Sequence, residues 1–514
     1  MSWAGEERRI KPFGAFKPRS FISLKVRVGK VGPHLPREIH YVPIISYKNF
    51  INDHKTIVYK INQKLAIPML WEEPLMNLQQ HELAHEKICM LITTYIMCLS
   101  DEAKIILSKC GVKMTPTLKR RATFNYASYL RHLDNVILFD ATEMWIGSCN
   151  TTPSEEQCFI PIFQTYQLLE QLYNNFIESC DNLKQLNLRR SDQVKSLSDS
   201  FLRLHFFPGA EKSLSWLNEF SFDGCIEPEI FFQASKISYN IQHLRINCVC
   251  IDNKGLAELI QVQRKPLLSL SIETTTTKFQ FPIIENSLKH KINFLTSLSL
   301  HRMFSMDIFS NCNNLEKLAI THVEPFGKDL MENFVNSKFR KLRELQLQLD
   351  FPYLYQISTL IKNTGGSLTS IYLYWITPQD TNNFSLLIST IIMYCPNLTE
   401  YLGSYANVVI NYFLPLFFQK CSKLEYFYIF NNVNGSLCYD ISNVMKAISK
   451  NIPKNLKMMW LSENWSCNTE ALNLFLEGCE KRLSKPLLFS ICNRTRQHDE
   501  IIERYIFKNV LANN

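Results

Sequence analysis

Apolar residues in the second two-thirds of the chain recur as a triplet. An aliphatic or aromatic residue is followed by a second one three positions later and a third two positions after that, as in "NLKQLNL" with Leu183, Leu186 and Leu188. The second and third members would face the same side of a short strand, so each triplet predicts a strand. Successive triplets begin 20 to 34 residues apart. The later ones begin at Leu217, Ile241, Leu267, Leu295, Leu315, Leu342, Leu368, Leu398, Leu424 and Leu456, and a ragged one lies near residues 487 to 491.

The stretches between triplets carry a different periodicity. In "LYQISTLIKN" and "PFGKDLMENFVNS" the apolar residues are spaced three and four apart, which is typical of an amphipathic helix. One strand and one helix cannot bury an apolar face alone, but stacked units share a continuous core. A period of this length is typical of leucine-rich repeats. We therefore predict an α/β leucine-rich-repeat solenoid of about eleven or twelve repeats, curved, with a parallel inner sheet and outer helices.

Several cysteines fit this architecture. Four of them precede the first residue of a triplet by three positions, and Cys479 lies in a similar place before Leu483. A small, weakly hydrogen-bonding side chain suits the packed junction between a helix end and the next strand, so we predict burial there. The four are Cys180, Cys312, Cys395 and Cys421.

Three segments of the N-terminal third resemble fungal F-box/leucine-rich-repeat proteins. "LPREI" at 35–39 resembles the opening of an F-box, and "KLAIPMLWEEP" at 64–74 resembles its closing stretch. "YASYLRHLD" at 126–134 is similar to the segment that leads into the repeats in that family. The resemblance implies docking onto the Skp-type adaptor of a cullin–RING ubiquitin ligase, with the solenoid selecting the substrate. By the same resemblance the adaptor-binding residues are Leu35, Pro36, Ile39, Pro68 and Trp71.

The F-box-like segment departs from the family pattern in two places. Pro43 falls inside the first expected helix, where proline removes a hydrogen bond and clashes with the preceding turn. Asn62 stands near the position where the family usually has a tryptophan. The small helical F-box-like region is therefore degenerate, and a cap packed on the chain's own solenoid is the alternative interpretation of its contact residues.

These patterns divide the chain into five parts. Residues 1–34 form a flexible basic N-terminus, 35–75 the degenerate F-box-like segment, and 76–175 a helical linker or cap, with Ser100 predicted to cap one helix. The leucine-rich repeats follow at 176–495, and 496–514 form a C-terminal tail.

One motif suggests an enzyme. "HELAH", with His81, Glu82 and His85, matches H-E-x-x-H, in which two histidines one helical turn apart bind zinc and the glutamate activates water. Ile88 and Leu91 stand where the metzincin extension requires glycine and histidine, and a convincing third ligand is missing from the sequence. We expect the motif to form a polar helix face, so zinc metalloprotease is a distant alternative. No metal site, cofactor or catalytic residue is predicted.

The overall composition limits the kinds of partner and the cellular location that we expect for this protein. The chain has 514 residues, a mild formal charge of +9, only 15 glycines, and no apolar run near the roughly 20 residues that span a bilayer. Without a secretory signal, its 16 cysteines should be reduced thiols, which predicts a cytoplasmic or nuclear location. We expect no membrane partner, and nucleic acid binding is disfavoured because the charge is mild and no motif that reads nucleic acid is present.

The variable positions beside the triplet residues predict the working surface. They are mixed aromatic, amide and basic side chains, the types that anchor protein interfaces, and they suggest a protein partner with some acidic character. The first hypothesis is a substrate-recognition subunit of a ubiquitin ligase, and the alternative is a leucine-rich-repeat scaffold without that role. The partner-binding candidates on the predicted concave sheet are Asn187, Arg189, Arg245, Ser299, His301, Gln346, Gln348, Tyr372, Tyr374, Tyr428 and Trp460.

Overall fold

The computed structural model describes residues 70–74, 84–149, 159–189, 207–274, 281–301, 309, 312–323, 334–349, 354–374, 381–404, 407–430, 439–462, 465–491 and 494–512. All of them belong to one compact unit, Lys64–Asn514. The predicted flexible N-terminus, residues 1–34, and most of the F-box-like segment lie outside the described residues.

Thirteen parallel strands form a single sheet in chain order, each paired with the next. This arrangement confirms the predicted leucine-rich-repeat solenoid. The strands are β1 (His132–Asp134), β2 (Gln185–Asn187), β3 (Glu219–Asp223), β4 (His243–Val249), β5 (Ser269–Thr274), β6 (Ser297–Leu300), β7 (Lys317–Val323), β8 (Glu344–Leu349), β9 (Ser370–Tyr374), β10 (Glu400–Ser404), β11 (Tyr426–Phe430), β13 (Met458–Leu461) and β15 (Leu488–Ser490). Two short strands, β12 (Tyr439–Asp440) and β14 (Trp465–Ser466), pair separately.

Helices precede the sheet and alternate with its strands. Before and just after β1 lie α1 (Ala84–Cys98), α2 (Asp101–Lys109), a 3₁₀ turn (Tyr126–Tyr129), α3 (Asn135–Cys149) and α4 (Phe159–Ser179). Between later strands lie α5 (Ala210–Leu214), α6 (Pro228–Ile237), α7 (Lys254–Gln261), α8 (Pro282–Lys289), a 3₁₀ turn (Ile292–Phe294), α9 (Leu354–Asn363), α10 (Thr381–Tyr394), α11 (Asn407–Lys420), α12 (Ser442–Ile448) and α13 (Thr469–Arg482). The last helix is α14 (Arg496–Phe507). None of the described helices is both long and apolar enough to cross a bilayer.

The triplet residues form the core between the sheet and the helices. The second members of successive triplets are in register across the sheet, as in Leu186, Phe220 and Leu244. They are almost fully buried and join one continuous hydrophobic cluster with the helix residues. The five junction cysteines are also buried, which confirms that prediction. The shared core explains why the strands need their neighbours, since each apolar row is completed by the next unit.

The sheet begins earlier in the chain than the predicted repeat boundary at 176. Strand β1 pairs in parallel with β2, so Leu130 and Leu133 occupy the first two triplet positions. The third position is Asn135, which is 2% exposed. Its amide donates to the carbonyl of Arg189 at 3.1 Å and accepts from the Tyr173 hydroxyl at 3.0 Å. Because a polar residue with satisfied hydrogen bonds replaces the aliphatic one, the apolar pattern does not reveal this unit.

The weakest predicted repeat, at "LTEYLG", is packed as well as the others. Tyr401 takes the second triplet position and is 1% exposed. Gly403 takes the third position, and a Cβ atom built there would lie 2.3 Å from the Tyr401 hydroxyl oxygen. The tyrosine ring therefore fills the space that an aliphatic third residue would occupy, which is why the unit keeps its strand without the usual side chain.

Along the chain, helices precede the first strand of the described sheet and follow its last strand. The Ser100 hydroxyl accepts a hydrogen bond from the amide of Ala103 at 3.2 Å, so the predicted cap of α2 is confirmed. At the other end, residues 496–512 form helix α14 and a short parallel bridge between Leu487 and Leu511. The segment predicted as a tail thus forms backbone hydrogen bonds with Leu487, the residue just before the last strand.

Candidate interaction surface

Strand side chains that alternate with the core rows lie on the other face of the sheet, here called the open face. Strands β5, β6, β9, β11 and β13 each alternate buried and half-buried residues along their length. The register aligns one residue from each strand into a central row. From β2 to β13 the row is Asn187, Ser221, Arg245, Ser271, Ser299, Ala319, Gln346, Tyr372, Leu402, Tyr428 and Trp460.

The candidate residues chosen from the sequence fall into two positions relative to this row. Seven are members of it: Asn187, Arg245, Ser299, Gln346, Tyr372, Tyr428 and Trp460. The other four lie two residues further along the chain, within the strand for Gln348 and Tyr374 and just beyond its end for Arg189 and His301. The structure therefore brings the eleven positions onto one face, and their role in binding a partner stays a prediction.

The polar end of the central row is satisfied within the chain. Asn187 is 5% exposed, and its amide donates to Asp134 at 2.6 Å. The Arg189 Nε atom donates to the Asn187 carbonyl oxygen at 3.1 Å. Arg245 is exposed and forms an ion pair with Glu273 at 3.3 Å. These basic groups already have partners in the chain, which weakens the case for an acidic ligand at this end.

The other end of the open face is an aromatic patch. Its rings are half-buried on strands that neighbour one another, so part of each ring remains accessible. Phe430 and Trp460 lie with their ring centroids 4.8 Å apart. The Tyr428 hydroxyl lies 3.4 Å from the Met458 sulfur. The members of the aromatic patch are Tyr372, Tyr374, Leu402, Tyr426, Tyr428, Phe430, Met458 and Trp460.

A carboxylate lies among these rings. Tyr372 donates a hydrogen bond to Glu400, and burial together with that carboxylate raises the tyrosine pKa well above its usual range. Burial and the same carboxylate also raise the pKa of Tyr374, and they raise that of Tyr428 to about 12. The neighbouring Glu344 is paired with Lys317 at 2.7 Å. The three hydroxyls therefore remain protonated at neutral pH, and that of Tyr372 is hydrogen-bonded to Glu400.

Half of the aromatic patch was missed by the sequence prediction. The missed residues lie on the same face as Tyr428. Tyr426 and Phe430 are on its own strand, and Leu402 and Met458 are on the two neighbouring strands. The signal that would have found them is the period of two along each strand, applied to every open-face position. The same period places Glu400 on this face, but the rings around it come from strands that are distant in sequence, so its setting could not be predicted.

The predicted adaptor-binding residues are largely outside the described residues. Leu35, Pro36, Ile39 and Pro68 lie there, and Trp71 alone is described. Trp71 is 5% exposed, with its ring edge-on to Tyr95 at 5.4 Å and 4.2 Å from the ring of Tyr126 between centroids. An adaptor contact through Trp71 would require the indole to leave this pocket.

The stretch around Trp71 is fixed to the first strands of the sheet. The Glu72 carboxylate pairs with Lys184 at 3.1 Å, and the Glu73 carboxylate lies 2.8 Å from the His132 Nε2 atom. The backbone amide of Arg131 donates to the Glu72 carbonyl at 3.1 Å. Residues 70–74 therefore cap the strand β1 end of the array.

Most of the H-E-x-x-H motif is likewise beyond the described residues. His81 and Glu82 lie there, while His85 is exposed near the start of α1 with its Nδ1 atom 3.9 Å from the Cys89 sulfur. Across the described part of the chain, no three His, Cys, Asp or Glu side chains are grouped to hold a metal ion.

Comparison with known proteins adds little to this geometry. No protein-family model matches the chain, and no curated protein matches it. Among solved structures, Rad7 from the yeast Rad7–Elc1 complex is 14% identical with a TM-score of 0.39, covering 72% of this chain and 86% of that one. An internalin of Listeria monocytogenes is 16% identical with a TM-score of 0.31, covering 57% and 81%. A Bacteroides fragilis protein is 12% identical with a TM-score of 0.27, covering 61% and 75%.

These likenesses are too weak to assign a function. The thirteen parallel strands in chain order, each carrying one triplet or its variant, are sufficient to define the architecture. The chain therefore has the leucine-rich-repeat fold.

Proposed function

We propose that this protein is a recognition scaffold that binds a segment of a partner protein on the aromatic patch. The observation that carries the proposal is the run Tyr372, Leu402, Tyr428 and Trp460, aligned in register on four neighbouring strands. Adjacent strands are about 4.8 Å apart, so the run is about 14 Å long, enough for several residues of a bound segment. Aromatic side chains held by a sheet lose little conformational entropy on binding, which makes them effective anchors.

The charge within the patch supports a basic partner. Glu400 lies among three tyrosines, and the neighbouring Glu344 already has Lys317 as its counterion. A lysine or arginine from the partner would meet both a carboxylate and the faces of aromatic rings, an arrangement that favours cations. Apolar residues flanking that cation would cover Leu402 and Trp460. This proposal differs from the acidic partner expected from the basic residues at the polar end.

Site-specific crosslinking tests the proposed surface. A photoreactive phenylalanine analogue would replace Tyr428 on the patch or, as the matched control, Tyr355, which is 58% exposed on helix α9. A partner captured at Tyr428 would then be purified and its affinity measured. We expect Tyr428→Ala and Trp460→Ala each to weaken binding at least about 30-fold, the size expected for an interface anchor. Tyr355→Ala should change it less than about twofold.

Two results would overturn the proposal. One is crosslinking that occurs at the control position and is missing from the patch. The other is a partner whose affinity is unchanged when both aromatic residues are truncated. A Glu400→Gln variant tests the charge: weaker binding with less dependence on salt supports a basic partner, and unchanged binding argues against it.

A second candidate function is substrate recognition for a cullin–RING ubiquitin ligase. It is favoured by "KLAIPMLWEEP", which resembles an F-box ending, and by the attachment of residues 70–74 to the first strands. That attachment would join an adaptor-binding segment to the recognition surface through a short, fixed connection. We expect the full chain to co-purify with a Skp-type adaptor and to lose it in a Leu35→Ala, Pro36→Ala double variant.

The two functions can be separated in one experiment. Retention of a patch-bound partner without any adaptor would identify a scaffold that has no ubiquitin-ligase role. Retention of the adaptor by the double variant would show that residues 35 and 36 are not the contact. Trp460→Ala serves as the control, since it should reduce partner binding and leave adaptor binding unchanged.

A further inference from the structure

Three cysteines meet at the carboxyl ends of strands β3 and β4. The Cys225 sulfur lies 2.6 Å from the Cys250 sulfur, and its thiol points to the carbonyl oxygen of Cys248 at 2.5 Å. Cys225 is exposed and Cys250 is half-buried, so small reagents can reach the pair. Both are reduced thiols in the structure. The binding proposal uses none of the three cysteines. Cys225 and Cys250 are 25 residues apart in the sequence.

The backbone brings the two sulfurs together. Strand β4 changes its register against β5 between Ile246 and Val249, and within this irregularity Cys248 adopts a left-handed φ of 53°. Such a conformation is unfavourable for a residue other than glycine and persists only where the surroundings enforce it. The chain after the irregularity is thereby redirected, and Cys250 turns towards the loop that follows β3.

The loop after β3 is held directly against this irregularity. The Gly224 amide donates to the Asn247 carbonyl at 2.6 Å. A Cβ atom at Gly224 would lie 2.7 Å from a methyl carbon of Val249, so a larger residue could not approach as closely. Since Cys225 follows Gly224 and Cys250 follows Val249, this contact places the two cysteines side by side. Their proximity is built into the packing of two neighbouring repeats.

We propose that Cys225 and Cys250 form a dithiol that peroxides oxidise reversibly to a disulfide. A disulfide bond is about 2.05 Å long, so the sulfurs need to approach by only about 0.5 Å. Burial, together with the hydrogen bond to Cys250, raises the pKa of Cys225 to about 12. Cys225 therefore stays protonated at neutral pH. Either sulfur can take the first oxidation, because the other lies 2.6 Å away and can complete the disulfide.

The reaction balances in two steps. One of the two sulfurs gives up its proton and attacks one peroxide oxygen, the O–O bond breaks, and that sulfur becomes a sulfenic acid while the second oxygen takes a proton and leaves as water. The other sulfur then attacks the sulfenic sulfur, an S–S bond forms, and the displaced hydroxide takes the proton of the attacking thiol to leave as a second water. The two sulfurs are oxidised and the peroxide is reduced. A small thiol reductant reverses the change by exchange through a mixed disulfide.

Differential thiol labelling of the full chain tests the proposal. The reduced protein would be treated with graded hydrogen peroxide, its remaining thiols blocked, and its disulfides then reduced and labelled with a heavier reagent before peptide mass spectrometry. We expect the Cys225–Cys250 pair to oxidise at a peroxide concentration at least about tenfold below that needed for the buried Cys395, since buried thiols react slowly. Dithiothreitol should restore both thiols.

Variants and a second probe make the result specific. Cys225→Ser and Cys250→Ser should each abolish the disulfide, whereas Cys248→Ser, the matched control, should keep it. Phenylarsine oxide, which bridges two close thiols, should add one equivalent to the wild type and the control variant and none to the other two. A first disulfide that includes Cys248, or oxidation of Cys395 before the pair, would overturn the proposal. The wild-type measurements alone decide this even if a variant fails to fold.

Discussion

Phe427 and Tyr428 are adjacent on strand β11, and truncation of Phe427 should destabilise the protein much more than truncation of Tyr428. Phe427 is fully buried, while Tyr428 is half-buried on the open face. The two residues differ in burial because successive side chains along a strand point to opposite faces of the sheet. Replacing each with alanine in turn therefore tests which face of the sheet is the core.

The size of the Phe427→Ala effect follows from its surroundings. Its ring centroid lies 5.8 Å from that of Tyr401, 5.5 Å from that of Phe417 and 5.2 Å from that of Phe418. Truncation removes these ring contacts and leaves a cavity between the sheet and helix α11, which typically costs about 3–5 kcal/mol. Three aromatic neighbours place the expected loss in the upper half of that range, at about 4–5 kcal/mol. Tyr428→Ala should cost about 1 kcal/mol, because its ring keeps contact with water.

Native-state hydrogen exchange, read peptide by peptide, measures the effect locally. A loss of about 4 kcal/mol corresponds to an increase of roughly a thousandfold in the opening equilibrium. We expect that increase in strands β10, β11 and β13, since repeat units depend mainly on their nearest neighbours. Exchange at strand β3 should change much less. If Tyr428→Ala accelerated exchange as much as Phe427→Ala, the assignment of core and open faces would be refuted.

Three further predictions concern the thiols, the glycines and one buried amide. Burial holds the pKa of the Cys395 and Cys421 thiols at about 12 against an ordinary value of 9.0. Between pH 9 and pH 12 the thiols therefore ionise only in the unfolded chain, so the free energy of unfolding by urea in reductant should fall by about 1.4 kcal/mol per thiol and pH unit. This pH dependence should be smaller in a variant with both cysteines replaced by alanine. An equal pH dependence in the wild type and the variant would contradict the raised pKa of the two thiols. Gly255→Ala would place a Cβ atom 2.0 Å from a carbonyl oxygen of helix α6 and should destabilise the protein by about 2–3 kcal/mol. Gly147→Ala, on an exposed helical site with no atom within 4 Å, should instead raise the midpoint of thermal unfolding. A loss of stability on substitution at position 147 would count against the helix there. Asn253 caps helix α7 and donates to the Ile226 carbonyl at 3.0 Å. Asn253→Ala should therefore lower the free energy of unfolding in urea by about 2–4 kcal/mol. A loss below about 0.5 kcal/mol would show that these hydrogen bonds are not needed for stability.

The repeats were predictable from the sequence because each one is marked by the spacing of apolar residues within a short segment. A triplet with members three and two positions apart specifies a strand and its buried face, and the same face recurs in every unit. The apolar pattern is lost, as at Asn135, or weakened, as at Gly403, where another residue performs the same packing role. Asn135 replaces an aliphatic residue by forming two hydrogen bonds, and Tyr401 does so by covering Gly403. Neither substitution can be recognised until the neighbouring side chains are known.

The interaction surface was only partly predictable. Tyr372, Tyr374, Tyr428 and Trp460 could be chosen because they flank triplet residues along their own strands. The clustering of their rings with Tyr426, and the place of Glu400 among the hydroxyls, depends on which strands are neighbours and in what register. The same holds for the cysteines, since Cys225 meets Cys250 only because one loop packs against a strand irregularity.

The sequence alone determined the fold class, the positions of most strands, the residues of the core and the burial of the junction cysteines. All of these depend on periodic apolar burial, a property that each short segment carries by itself. Only the tertiary structure decided that the open face has a polar end and an aromatic end, that Trp71 packs within the chain, and that the thiols of Cys225 and Cys250 meet. These features arise from contacts between segments far apart in the chain, and the free energy of such contacts depends on distances that no local pattern encodes.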